Sequence, residues 1–270
     1  MSYRTKVSLL ITTYNWPEAL ELCFQSILNQ YTPPDEVVFA DDGSKDPTRI
    51  LIESFREKTD TPIQHIWQED DGFQLAKIRN KAIAACKHPY IIQIDGDLIL
   101  NPYFIKDHIN HIKPNSFTTG SRVNLHEPYS KKILNSGILP PISEIKRNSN
   151  NFFNGLRIPY LTKFLSNKYK TKNKYRDFTR GCNMAYWRDD AIQINGYNEN
   201  MIGWGSEDKE FVTRMINNGK EKRFLKFSAI VYHIWHQFSN RSSQNINDEI
   251  YQKSVNQTII KTQNGINKYL

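Results

Sequence analysis

Four short apolar runs alternate with stretches of helical period over the first 115 residues, and this alternation restricts the fold more than any other feature of the chain. Val7–Thr13 reads as a buried strand, and Glu36–Ala40, Ile63–Trp67 and Tyr90–Ile94 read as three more. Helices are expected between them over Pro17–Asn29, Thr48–Lys58 and Leu75–Cys86, with another over Pro102–Ile112. In the first helix Leu20, Phe24, Ile27 and Leu28 supply the apolar positions, and Asn15-Trp16-Pro17-Glu18 supplies the cap and start. Elements of these lengths in this order form an α/β fold with a right-handed, parallel central sheet.

The rhythm breaks after Asn115. Thr118–Val123 is expected as a strand. Residues 125–176 are polar, basic and aromatic, with Pro128, Pro140, Pro141 and Pro159 as breakers, and read as an irregular insert of loops and short helices. Order returns at Phe178–Trp187, then a helix over Glu207–Asn217 and a late strand over Phe224–Tyr232. Past Phe238 the tail is rich in Asn, Gln and Ser, and reads either as a weak amphipathic helix carrying Ile246 and Ile250 or as disorder. The chain thus divides into 1–115, 116–238 and a tail, 239–270.

Charge is uneven. The net value is +8, yet Leu125 to Arg176 alone carries eleven Lys and Arg against Glu127 and Glu144. Such a face attracts polyanions or anionic lipid headgroups. No helix-turn-helix, RNP or zinc-finger pattern supports nucleic acid as the partner. The three cysteines, Cys23, Cys86 and Cys182, are widely spaced and form no CxxC, which points to a reducing compartment. Met1–Lys6 leads straight into a strand, and no apolar run approaches the roughly 18 residues of a membrane span. A cytoplasmic protein, peripheral at most to the inner face of the plasma membrane, is expected.

Three acidic signatures carry the chemistry: Asp41-Asp42-Gly43-Ser44, Asp95-Gly96-Asp97, and Glu207-Asp208 within Gly203-Trp204-Gly205-Ser206-Glu207-Asp208. The first two close predicted strands, where open α/β sheets bind ligands. Hard cations take carboxylate oxygens, and a diphosphate substrate needs such a cation. Thr12, Tyr14 and Asn15 end the neighbouring strand, so an aspartate of the first pair can accept from the N3–H of uracil while an aromatic stacks on the base. The competing reading is a turn followed by a helix cap at Ser44 or Asp46. Asp95-Gly96-Asp97 suits a metal bridging a diphosphate, or is a loop with two solvated aspartates. In the third signature Trp204 offers a platform for a sugar face and Asp208 a general base for an acceptor hydroxyl; a favourable helix cap is the alternative.

His233-Ile234-Trp235-His236 ends the late strand. Imidazole suits Mn²⁺, but an i,i+3 pair at a strand end rarely turns both rings to one ion, so one ligand is expected. Arg79 and Lys77 can face phosphates, and a solvated loop is the better reading for Lys77. Arg180-Gly181-Cys182-Asn183 is a polar stretch open to use by a donor or acceptor loop.

Taken together, these residues resemble glycosyltransferase family 2, with the Rossmann-like GT-A fold. Val7–Asn15, Asp41–Asp46 and Asp95–Asp97 match its nucleotide-binding half. Arg180–Ala185, Gly196–Glu199 and Gly203–Asp208 are similar to the galactosyltransferase C-terminal region, which also occurs in bacterial chondroitin-polymerase-type enzymes. The likeness covers roughly residues 5–238 apart from the basic insert. It implies inverting transfer of a hexose or N-acetylhexosamine from a UDP-sugar to a glycan or lipid-linked acceptor, in surface polysaccharide or lipopolysaccharide synthesis. By that analogy Thr12 and Asp42, with Tyr14, Asn15 and Arg79, bind the nucleotide. Asp97 and His236 bind Mn²⁺, with Mg²⁺ as the alternative ion, His233 is the less favoured ligand, and Asp95 supports the ribose or the metal. Asp208 is the base, with Trp204 and Glu207 shaping the acceptor pocket. The polymerases carry two such modules and this chain one, which implies addition of a single residue. A nucleotidyltransferase would instead need a glycine-rich basic loop near the N-terminus, where Thr12–Pro17 stands. A non-catalytic binding module predicts loss of a motif acid, and none is lost.

Overall fold

All seven residues of Val7–Thr13 are buried, and this strand is the axis on which the sheet is built. The computed structural model describes residues 4–171, 179–237 and 243–270. Its elements run β1 (Val7–Thr13), α1 (Pro17–Leu28), β2 (Glu36–Asp41), α2 (Asp46–Arg56), β3 (Ile63–Trp67), α3 (Leu75–Ala85), β4 (Tyr90–Asp95), β5 (Leu98–Leu100), α4 (Phe104–Ile109), β6 (Ser116–Thr119) and β7 (Ser121–Asn124). Then come α5 (Glu127–Ser136), α6 (Ile142–Arg147), α7 (Pro159–Leu165), β8 (Asn183–Trp187), α8 (Arg188–Gln193), α9 (Glu207–Asn217), β9 (Glu221–Phe224), β10 (Ile230–His233) and α10 (Gln244–Asn256).

One sheet has the order β3-β2-β1-β4-β8-β6-β9 and a smaller one the order β5-β10-β7. In the larger sheet β1 pairs in parallel with both β2 and β4, so strand order reverses at β1 and leaves a crevice beyond its end. Only β8 runs against the others. Residues 1–115 and 116–238 therefore contribute to one continuous sheet. Buried on both faces, β1 sends Val7, Leu9 and Ile11 into a core with Phe24, Phe55 and Phe104, and Leu10 into a second core with Ile78, Phe211 and Met215. A third core, around Leu22, Ile99, Val123, Tyr129 and Tyr232, fastens the insert to the small sheet.

The structure corrects two strands. Thr118–Val123 is two strands, β6 and β7, which part at Gly120 and enter different sheets. A side chain at Gly120 would lie within 2.5 Å of the Asn183 amide and the Ala229 carbonyl, so the chain can pass there only as glycine. Phe224–Tyr232 likewise splits into β9 and β10, broken by positive φ at Phe227 (68°) and Ala229 (47°). The tail forms α10, packed on α9. Its buried face is Asn247, Tyr251 and Ser254, while Ile246 is exposed. In the insert, the pairs Lys131–Glu127, Lys132–Glu144 and Arg157–Asp107 offset part of the positive charge. No helix among the described residues is long and apolar enough to cross a membrane. The three cysteines are buried and free.

Candidate active site

Asp95-Gly96-Asp97 is the link by which the chain leaves the large sheet at β4 and enters the small one at β5. Asp95 stays with β1: it sits opposite Thr12, whose hydroxyl donates to Asp95 Oδ1 at 2.6 Å. Thr12 is buried and supports Asp95 rather than facing open space. Two residues on, Asp97 immediately precedes β5 of the small sheet. There β10 runs antiparallel to β5 with His233 opposite Leu98, and the Ile234 amide donates to the Asp97 carbonyl at 3.0 Å.

That register brings both histidines to one carboxylate. His233 Nε2 and His236 Nε2 each lie 3.2 Å from Asp97 Oδ2. Both rings therefore stand within reach of one ion, where the sequence led us to expect only one of them: the chain leaves the strand after His233, and its geometry does not carry His236 away. Potential ligand atoms of Asp97, His233 and His236 all lie within 4.8 Å of one another. Asp97 Oδ1 is buried and has no hydrogen-bond partner among the described residues. One carboxylate with an unused oxygen and two imidazoles suits a first-row divalent ion such as Mn²⁺. Burial raises the Asp97 carboxyl, but His233 and His236 outweigh it and hold it well below the usual range. His236 is pushed up, chiefly by its bond to Asp97.

A second group forms where α3, β8 and α9 meet. Arg79, 1% exposed, reaches from α3 with Nη1 2.8 Å from Asp208 Oδ1 and Nη2 3.2 Å from Asp95 Oδ1. Its guanidinium lies 5.2 Å from the Tyr197 ring centroid. Arg79 therefore ties two acidic motifs together rather than standing free for a phosphate. Burial works against its charge, but Asp208, Asp95 and Glu207 more than compensate. Asp208 is further fixed by the Gly181 amide, which donates to Oδ2 at 2.9 Å. Glu207 is buried beside it and accepts from the Gly205 amide at 3.2 Å. Burial, then the Asp208 charge, push its carboxyl up to about 7. Trp204 is half-buried in the loop before α9, whose N-cap, Ser206, has φ of 61°.

The third group lies beyond β1 and β2. Asp41 is fully buried and structural: it meets His65 Nε2 at 2.9 Å and accepts from the Ser44 amide at 2.8 Å. Asp42 accepts from Gln68 Nε2 at 2.6 Å and from the Gln74 amide at 2.9 Å. Burial is the main cause of its rise to about 6. Tyr14 is 50% exposed, with its hydroxyl donating to Asp70 at 3.0 Å. Asn15 does not cap α1. The N-cap is Trp16, and Asn15 (φ 45°) accepts from the Lys45 amide at 2.9 Å while its own amide donates to Ser44 Oγ at 2.8 Å. Neither Ser44 nor Asp46 caps α2, whose N-cap is Lys45.

Gln93 escaped the sequence reading, and Tyr197, within the Gly196–Glu199 stretch, was given no role there. Gln93 Nε2 donates to the Gly181 carbonyl at 3.0 Å and to the Tyr197 hydroxyl at 2.9 Å, and that hydroxyl lies 3.3 Å from Asp208 Oδ1. A glutamine inside the apolar run Ile91–Ile94 was the available signal, because a buried amide must be satisfied.

Residues 8–189 match the family described as glycosyl transferase family 2, and residues 162–237 match one described as the N-terminal domain of galactosyltransferase. The chain is 28% identical to hyaluronan synthase of Pasteurella multocida over 79% of its own length and 23% of that protein's. It is 26% identical to chondroitin synthase of Escherichia coli, over 84% of this chain and 34% of the other. It thus spans only about a quarter of the first relative and a third of the second. Among solved structures, S. aureus TarS 1–349 in complex with UDP-GlcNAc has a TM-score of 0.65 at 17% identity, covering 98% of this chain and 69% of that one. The mannosyltransferase PcManGT from Pyrobaculum calidifontis, in complex with GDP-Man and Mn²⁺, has a TM-score of 0.61 at 16% identity, over 87% and 59%. These likenesses show the GT-A fold.

Proposed function

The chain belongs to glycosyltransferase family 2 and is a glycosyltransferase, and from that premise we propose that it inverts configuration, depends on a divalent metal, and moves a hexose or N-acetylhexosamine from a UDP-sugar to a glycan or lipid-linked acceptor. The observation that carries this reading is the convergence, along one sheet end, of Asp42, the Asp97–His233–His236 cluster and Asp208, with Arg79 joining Asp208 to Asp95.

Asp42 recognises uracil through its N3–H, exchanging a present partner for the base, and the exposed ring of Tyr14 offers a stacking surface. Asp97, His233 and His236 would hold the ion, which supplies charge neutralisation for the diphosphate. Asp208, oriented by Arg79 and Gly181, takes the proton of the acceptor hydroxyl. As the hydroxyl oxygen bonds to the anomeric carbon on the face opposite UDP, the carbon–phosphate oxygen bond breaks and its electron pair leaves with UDP. Trp204 and the neutral form of Glu207 shape the acceptor side.

Surface polysaccharide or lipopolysaccharide is the product class we favour, because the chain is similar to a hyaluronan synthase and a chondroitin synthase. Peripheral membrane contact is supported by α7, where Tyr160 (92% exposed), Leu161 and Phe164 stand beside Lys163 and Lys168. Of the lysines that mark the insert, Lys172 and Lys174 lie outside the described residues. Sedimentation with anionic vesicles that is unchanged in Lys163→Glu/Lys168→Glu would remove this contact from the proposal.

The class is tested by screening UDP-sugars for UDP release with and without EDTA. Metal-dependent release from one donor is expected. Absence of both release and UDP binding would overturn the UDP-sugar reading, whereas binding without release would show that the acceptor is required.

A further inference from the structure

A cavity of about 160 Å³ opens at the far side of the large sheet, lined by Thr119, Gly120, Arg122, Lys170, Arg180 and Lys226 among others. Four cationic side chains share this small space. Among the described residues, no carboxylate lies within ion-pairing distance of Arg122, Arg180 or Lys226. Among those residues Arg122 reaches only the Cys182 sulfur, at 3.8 Å, and its buried Nε has no partner. Lys226 Nζ is held by the Asn154 amide oxygen. Partial burial, then Arg122, push the Arg180 guanidinium down, and burial, then Lys170, push Lys226 down. Like charges kept together and partly desolvated are costly without a counter-charge.

The cavity's place in the fold says what supplies that counter-charge. Arg180 precedes Gly181, whose amide holds Asp208. Across the sheet the order is β2, β1, β4, β8, β6, so Asp42 and the cavity stand four strands apart, roughly 19 Å at about 4.8 Å per strand. On the function proposed above, the donor's nucleoside would lie at the Asp42 end, with Asp97, which follows β4, between the two.

We propose that Arg122, Arg180 and Lys226 form an oxyanion subsite that holds a phosphate or carboxylate group of the acceptor beside Asp208. This deepens the function proposed above and rests on Asp208 being the base. An acceptor that carries such a group close to its reactive hydroxyl is oriented by the cluster.

The test is calorimetric titration of the full chain, with UDP and Mn²⁺ present, using glycerol 1-phosphate, methyl β-D-glucuronide and neutral methyl β-D-glucoside. One of the two anions is expected to bind saturably at least tenfold more tightly than the glucoside, which also decides between phosphate and carboxylate. Arg180→Gln/Lys226→Gln is expected to lose at least tenfold in that affinity and Arg180→Lys/Lys226→Arg to retain it, with UDP affinity within twofold of wild type. If the double variant does not fold by circular dichroism, Arg180→Gln alone, at an exposed position, serves in its place. Equal affinity for anion and glucoside overturns the proposal. So does a parallel tenfold loss of UDP affinity, which assigns the cluster to the donor diphosphate. Wild-type chain that binds the anion but not UDP overturns the UDP-donor reading and leaves the subsite standing.

Discussion

Arg79 Nη1 lies 2.8 Å from Asp208 Oδ1, joining residues 129 positions apart in the sequence, and the same guanidinium reaches Asp95. The proposed base and the acid at the end of β4 are thereby fixed to each other through one buried side chain. Removing one partner of a buried ion pair leaves an uncompensated charge, at a cost of about 3–5 kcal/mol. Arg79→Met is therefore expected to lower unfolding stability by about that amount in denaturant titration. Arg79→Lys should recover only part of it, because a single ammonium cannot span both carboxylates.

Asp208→Asn removes the proton acceptor but keeps the shape of the side chain. Transfer is expected to fall by roughly 10²–10⁴, the usual contribution of a positioned general base, while UDP affinity measured by calorimetry stays near wild type. Unchanged transfer would exclude Asp208 as the base.

Gly181 is required by contact. A Cβ there would stand 2.0 Å from Asp208 Oδ1. Gly181→Ala must displace the carboxylate and is expected to mimic Asp208→Asn in turnover while also lowering Tm. Gly155→Ala, whose nearest neighbours would be at ordinary contact distance of 3.8 Å, should change neither.

Asp42 gives a pH signature. Its folded pKa is raised from an ordinary 3.8 to about 6 by burial, so between these values the folded state binds more protons than the unfolded one. Stability from this group is thus present below about pH 4 and is lost as pH rises through about 6. Urea unfolding at pH 4 and pH 7 should show Asp42→Asn, which stays neutral, losing less stability over that interval than wild type. Donor affinity should move the opposite way, strengthening through pH 6 as the carboxylate that accepts the uracil N3–H forms.

Metal binding is read from stability as well as turnover. Mn²⁺ at a hundred times its Kd should raise the unfolding free energy by about 2.7 kcal/mol. His233→Ala/His236→Ala should abolish that increment. Loss with His236→Ala alone, and none with His233→Ala, would restore the single-ligand expectation.

The repeating strands and helices of residues 7–112, apart from the three-residue β5, were legible in the sequence because each is set by local periodicity. The buried run Val7–Thr13, the helical spacing of Leu20, Phe24 and Ile27, and acids at strand ends all act within a few residues. The acidic motifs were legible for the same reason, since each is a contiguous string. What only the tertiary structure decided are relations between distant segments. The β5–β10 register turns both His233 and His236 to Asp97. Gly120 splits an apparent strand between two sheets, and Arg79 is drawn into the interior by Asp208 and Asp95. The cations of the far cavity come from β7, the insert, the approach to β8 and the turn after β9. Strand register and buried charge pairing depend on which chains lie side by side, and no local pattern of residue types encodes that.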